Sequence, residues 1–118
     1  MSETTSTFLA VEKTDRALIA SLLCEKVGQR EAQILEAELK TAAPSRQWRL
    51  ALDLTAVTVL ASMGLGMLVT MHKECSAKGG RFAIFGLNGE ISQLLKITHL
   101  ERVLKIAADK DAAVKDVS

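Results

Sequence analysis

Apolar and polar residues alternate loosely from Phe8 to Lys13, the period of a strand with one covered face, and Ala17 to Leu23 repeats the signal after Arg16. Thr14-Asp15 between them supplies turn chemistry, so an antiparallel hairpin is expected. After Gly28 the period changes. Ala32, Leu35 and Leu39 recur at i, i+3 and i+7 among Glu31, Glu36, Glu38 and Lys40, the pattern of an amphipathic helix that Pro44-Ser45 ends. The run Trp48 to Leu60 carries few charges. Its first half suits a central strand covered on both faces, with Asp53 to Thr55 at the carboxyl end and a short apolar exit beyond.

From Gly64 the period is helical again, with Met67, Leu68, Met71 and Cys75 on one stripe, and Gly79-Gly80 stops it. Arg81 to Leu87 reads as a fourth strand. Gly89 to Leu100 reads as a third helix, capped by Asn88, with Ile91, Leu94 and Leu95 inward. Val103 to Ala107 gives a last short strand, and Asp109 to Val117 a terminal helical turn or two. The order β-β-α-β-α-β-α-β-α predicts an α/β fold: a mixed β-sheet with crossover helices packed on it. In sheets of this kind, function collects at the carboxyl ends of strands, where Ser62 to Gly66 falls.

At 118 residues the chain is expected to form one domain. Met1 to Thr7 is polar, carries an acid and lacks a basic start with an apolar core, so it is read as a frayed terminus rather than a signal peptide. Lys and Arg total 15 against 14 Asp and Glu, and aromatic residues make up 3%. That leaves no basic stripe and little to stack bases on, which argues against a nucleic-acid partner. Apolar runs such as Val57 to Ala61 fall far short of the roughly 20 residues that span a bilayer, so no membrane insertion is expected. Cys24 and Cys75 read as free thiols in a reducing cytosol.

The corner Ser62-Met63-Gly64-Leu65-Gly66 admits more than one reading from its residues. Ser62 can be a helix N-cap, with Gly64 and Gly66 letting the helix approach the sheet closely. Alternatively the helix start binds a nucleotide or anion through backbone N–H groups, although Gly-Leu-Gly without a following lysine is not a P-loop. Elsewhere, His72 and Cys75 stand three apart, too few for a zinc site, and are read as structural; His99 is read as a turn residue. Asp53 has no second titratable group beside it and is expected to bond backbone N–H groups of neighbouring loops. No catalytic constellation, metal site or cofactor motif is expected.

Taken together and in order, Asp53-Leu54-Thr55, Ser62-Met63-Gly64-Leu65-Gly66, Gly86-Leu87-Asn88 and Ile97-Thr98-His99-Leu100 resemble the STAS domain of bacterial anti-sigma factor antagonists. The resemblance implies a non-catalytic cytoplasmic regulator that binds an anti-sigma factor, a serine kinase of histidine-kinase-like ATPase type, in a partner-switching pathway. It places the contact at Asp53, Thr55, Ser62, Met63, Gly64, Leu65, Leu87, Asn88 and Gly89. In the family, the second hydroxyl residue of an Asp-Ser-Ser/Thr-Gly motif is phosphorylated and phosphorylation breaks the complex. Here Ala61 stands in place of the aspartate and Met63 in place of the phosphoacceptor, leaving Ser62 as the phosphorylation candidate, turned roughly 100° around the helix. STAS domains serving as accessory subunits of membrane transporters or signalling scaffolds are the alternative.

Overall fold

The computed structural model describes residues 3–5 and 8–118. Six strands form the main sheet: β1 (Glu3–Thr5), β2 (Leu9–Lys13), β3 (Leu18–Leu22), β5 (Arg49–Asp53), β7 (Arg81–Phe85) and β8 (Lys105–Ile106), in the spatial order β1-β2-β3-β5-β7-β8. β1, β2 and β3 pair antiparallel, and β3 onward is parallel. The hairpin turns at Thr14, whose backbone N–H and hydroxyl both donate to the Ala17 carbonyl. A separate pair, β4 (Lys26–Val27) and β6 (Val59–Leu60), forms a two-stranded parallel ribbon.

The helices α1 (Gln29–Ala42), α2 (Ser62–Ala77) and α3 (Gly89–Ile97) put their apolar stripes against one side of the sheet. Leu35 and Leu39, Met67, Leu68, Met71 and Cys75, and Ile91 and Leu95 meet Leu18, Leu22, Leu50, Leu52, Phe82 and Ile84 there. The opposite side is thinner. It belongs to α4 (Lys110–Val117), whose Ala113 and Val117 pack on Ala17, Ile19, Ala51, Ala83 and Phe85. Alternation along β5 and β7 assigns Leu50, Leu52, Phe82 and Ile84 to the three-helix face and Ala51 and Ala83, with Phe85 at the strand end, to the α4 face.

Several boundaries differ from the sequence reading. Two-residue strands are too short to show a period, so β4 and β6 were not expected. β1 was not expected either: Glu3–Thr5, inside the stretch read as frayed, pairs along β2, while residues 1, 2, 6 and 7 of that stretch lie outside the described residues. The third helix stops at Ile97, because His99 takes a positive φ of 60° and the chain continues as a short 3-10 turn, Leu100–Arg102. α2 begins at Ser62, two residues before Gly64. No helix among the described residues is long and apolar enough to cross a membrane.

Candidate functional site

β3 and β5 end side by side, with Ser21 in register with Asp53. The Ser21 hydroxyl donates to Asp53 Oδ2 at 3.2 Å, and Asp53 Oδ1 accepts the Thr55 backbone N–H at 2.9 Å together with the Thr55 hydroxyl. The carboxylate therefore folds the chain back on itself as an Asx turn. Its backbone partner lies in its own turn rather than in a neighbouring loop. The turn after β7 nests against it: Leu54 N–H donates to the Phe85 carbonyl at 2.9 Å. Gly86 has φ +77°, and a Cβ there would stand 2.9 Å from Asp53 Oδ1, 3.0 Å from Thr55 N and closer still to Thr55 Oγ1.

Asn88 joins three elements. Its Oδ1 caps α3 by accepting the Ile91 N–H at 2.8 Å, while its Nδ2 donates to the carbonyls of Val57 and Thr58 at 3.3 and 3.4 Å. On the far side of that segment, the N–H groups of Thr58 and Val59 both donate to the Glu25 carbonyl. The exit from β5 is thus held from both sides. Asn88→Ala removes the cap and both donated bonds and should cost about 1–2 kcal/mol in chemical denaturation. Asn88→Asp keeps an N-cap acceptor and loses only the donor, so it should recover part of that loss.

At the start of α2 the N-cap is Ala61, with φ −79° and ψ 172° and no side-chain cap. Ser62 is therefore the first helical residue, exposed, and not the cap its residue type suggested. The Ala61 N–H is held instead by the Val27 carbonyl at 3.0 Å. Gly64, expected at the partner-facing surface, is buried: a Cβ would lie 2.7 Å from Leu60 Cδ1, 2.9 Å from the Val27 carbonyl oxygen and 3.0 Å from Val27 Cγ1. Its role is to seat α2 on the β4–β6 ribbon.

Gly66 does not share that role. It is exposed, and a Cβ would meet nothing within 4 Å. Gly66→Ala should stabilise the fold by about 0.5–1 kcal/mol through helix propensity, read as a rise in the denaturant midpoint.

Large apolar side chains are exposed at this end of the sheet. Met63 and Val59 are each 49% exposed and Leu23 is 45% exposed, with Thr55, Ser62 and Gly89 exposed among them. Leu65 and Leu87 are half-buried and pack on the core, shaping the surface from below. The first turn of α2, Ser62 to Leu65, carries no charged side chain. Val59 and Leu23 were missed by the sequence reading: Val59 lies in a two-residue strand and Leu23 just past the end of β3. A groove of about 210 Å³ between β6 and α3, lined by Thr58, Val59, Leu60, Glu90, Ile91 and Leu94, continues the surface.

The other candidates stay apart from this corner. Cys75 is fully buried, and burial, with a smaller contribution from the Glu74 carboxylate, pushes its thiol up to about 12. At neutral pH it carries its proton and cannot act as a thiolate ligand. His72 is half-buried, and its shielded Nδ1 has no hydrogen-bond partner. Cys24 is half-buried, its thiol raised chiefly by burial. Among the described residues no three His, Cys, Asp or Glu side chains cluster as metal ligands.

Comparison with known proteins shows what the chain as a whole is similar to. A putative anti-sigma factor antagonist homolog from Thermotoga neapolitana is 33% identical over 69 residues, 58% of this chain and 61% of that protein. The matched segment thus spans about three fifths of that relative's length. The putative anti-sigma factor antagonist BtrV of Bordetella bronchiseptica is 27% identical over 105 residues, 89% of this chain and 90% of that protein. The crystal structure of a putative anti-sigma factor antagonist from Thermotoga maritima superposes with a TM-score of 0.79 at 25% identity, covering 91% of this chain and 92% of that one. The STAS domain family matches residues 9–113. With the hairpin, the crossover helices and the corner before α2 all inside that match, the chain belongs to the STAS domain family.

Proposed function

We propose that the chain is a cytoplasmic anti-sigma factor antagonist without catalysis of its own, and that it docks a kinase-type anti-sigma factor of histidine-kinase-like ATPase fold on the corner at the start of α2. The observation that carries the reading is the exposed apolar pair Met63 and Val59 on a backbone pinned from beneath by Gly64 and from the side by Asn88. Apolar surface held rigid at the carboxyl end of a sheet suits a protein contact, since little ordering is needed on binding. The absence of any charged side chain from Ser62 to Leu65 favours this over a nucleotide or anion site.

Within this reading Met63 occupies the family's phosphoacceptor place, and its thioether cannot take a phosphoryl group. Ser62 is the exposed hydroxyl beside it and the candidate acceptor. The test is titration of the chain with each kinase-type anti-sigma factor of the source genome, with and without ATP, followed by mass analysis. Binding that persists after ATP, with no phosphate on Ser62, supports a docking domain without the phosphorylation switch. Phosphate on Ser62 with loss of binding places the switch one residue earlier, and absence of binding to every such factor refutes the reading.

A further inference from the structure

Of the four sulfur-bearing side chains other than Met63 among the described residues, three are buried and Cys24 is half-buried. Met67 and Met71 are 2% and 0% exposed, and Cys75 is 0% exposed. Burial holds the thiols of Cys24 and Cys75 in the protonated form, which reacts slowly with peroxides. Met63 is 49% exposed in the first turn of α2. Its side chain lines a groove of about 280 Å³ between α1 and α2, together with Gly66, Gln33, Thr70, the Glu36 carboxylate and the edge of the otherwise buried Met67. The groove has room for one more atom on sulfur.

We propose that Met63 is an oxidative modification site, converted by hydroperoxides to the sulfoxide, and that this modification switches the docking corner off. The switch role rests on the docking reading above; the site itself does not. In the step, a sulfur lone pair attacks the terminal oxygen of hydrogen peroxide. The S–O bond forms as the O–O bond breaks, and the proton on the transferred oxygen passes to the departing hydroxide, which leaves as water. Sulfur loses two electrons and the peroxide gains them. An apolar thioether becomes a strongly polar acceptor at the centre of an apolar contact, where its desolvation opposes docking. Because docking covers Met63, oxidation acts on the free chain and blocks its return to the partner. A methionine sulfoxide reductase reverses the change, so the site is a switch rather than damage.

The test is a time course of the purified full chain in hydrogen peroxide, followed by peptide mass spectrometry and by thermal unfolding. Sulfoxide should form at Met63 about tenfold faster than at Met67 or Met71, ahead of any oxidation of Cys24, with the unfolding midpoint little changed. Oxidation of Met67, Met71 or Cys24 at the same rate, or unfolding in step with Met63 oxidation, overturns the site. For the switch, affinity for the anti-sigma factor that binds the untreated chain should fall about tenfold on oxidation and return after treatment with the reductases. In Met63→Leu, whatever its starting affinity, peroxide should no longer change it. Equal affinity of the oxidised and reduced chain overturns the switch while leaving the docking reading intact. Failure of the untreated chain to bind any such factor overturns that reading, and the switch with it, independently of the peroxide kinetics.

Discussion

Gly86→Ala should lower the unfolding free energy by about 2–4 kcal/mol, one of the two largest effects expected from a single substitution at the corner. Two costs combine. At φ +77° an alanine Cβ sits in the sparsely populated left-handed region, which costs of the order of 1 kcal/mol for a non-glycine residue. The same Cβ would press on Thr55 Oγ1, Asp53 Oδ1 and Thr55 N, none of which is the free end of a flexible chain. Asp53 is fixed by Ser21 and by its own turn, so the turn after β7 must lift away, weakening the Leu54 to Phe85 bond. Chemical denaturation should show the loss as a lower midpoint at unchanged slope, since the amount of surface buried is not altered. A paired Thr55→Ser, Gly86→Ala variant should recover little, because Ser retains the oxygen that clashes. Thr55→Ala, Gly86→Ala removes that oxygen and should recover more, which separates the steric cost from the backbone cost.

The main architecture was legible because long elements carry their own period. The stripe Met67, Leu68, Met71, Cys75 is helical wherever it is placed, and the same four residues are buried in the structure. Asn88 was legible as a cap because its chemistry is local, a side-chain oxygen three residues before the N–H it accepts. Its second task was not: the donated bonds reach Val57 and Thr58, some 30 residues away in sequence. The same division explains the glycines. Gly64 and Gly66 are indistinguishable in sequence, yet a Cβ on one would strike Val27 and Leu60 and a Cβ on the other would meet nothing within 4 Å, because the β4–β6 ribbon that decides the matter consists of two-residue strands. Ser62 misled for a related reason. Serine favours the cap position by propensity, but the Val27 carbonyl fixes Ala61 N–H and sets the helix start one residue earlier. Local chemistry was readable, and what depended on distant backbone was not.

Met63→Glu should weaken the proposed partner's binding by about 2 kcal/mol or more, roughly thirtyfold in Kd, without lowering the stability of the fold. The two halves of this expectation have different origins. On the bound side, a carboxylate replaces an adaptable apolar side chain that is 49% exposed in the free chain, and docking must then strip its water. On the free side, the new carboxylate stands in the first turn of α2, which holds no acid of its own, and its favourable interaction with the unpaired N–H groups, about 0.3–1 kcal/mol, offsets repulsion from Glu36 in the groove beside it. Thermal unfolding should therefore show an unchanged or slightly higher midpoint while calorimetric titration shows the lost affinity. That opposition makes the experiment decisive, because a weakened complex cannot be attributed to a weakened fold. Val59→Ser tests the same surface from the neighbouring element and should cost about 1 kcal/mol of binding, the transfer free energy of a smaller apolar area. If both variants bind as tightly as the parent chain, the corner is not the contact, and the exposed residues Ile97, Val103 and Ile106, in the segment from the end of α3 to β8, become the surface to probe.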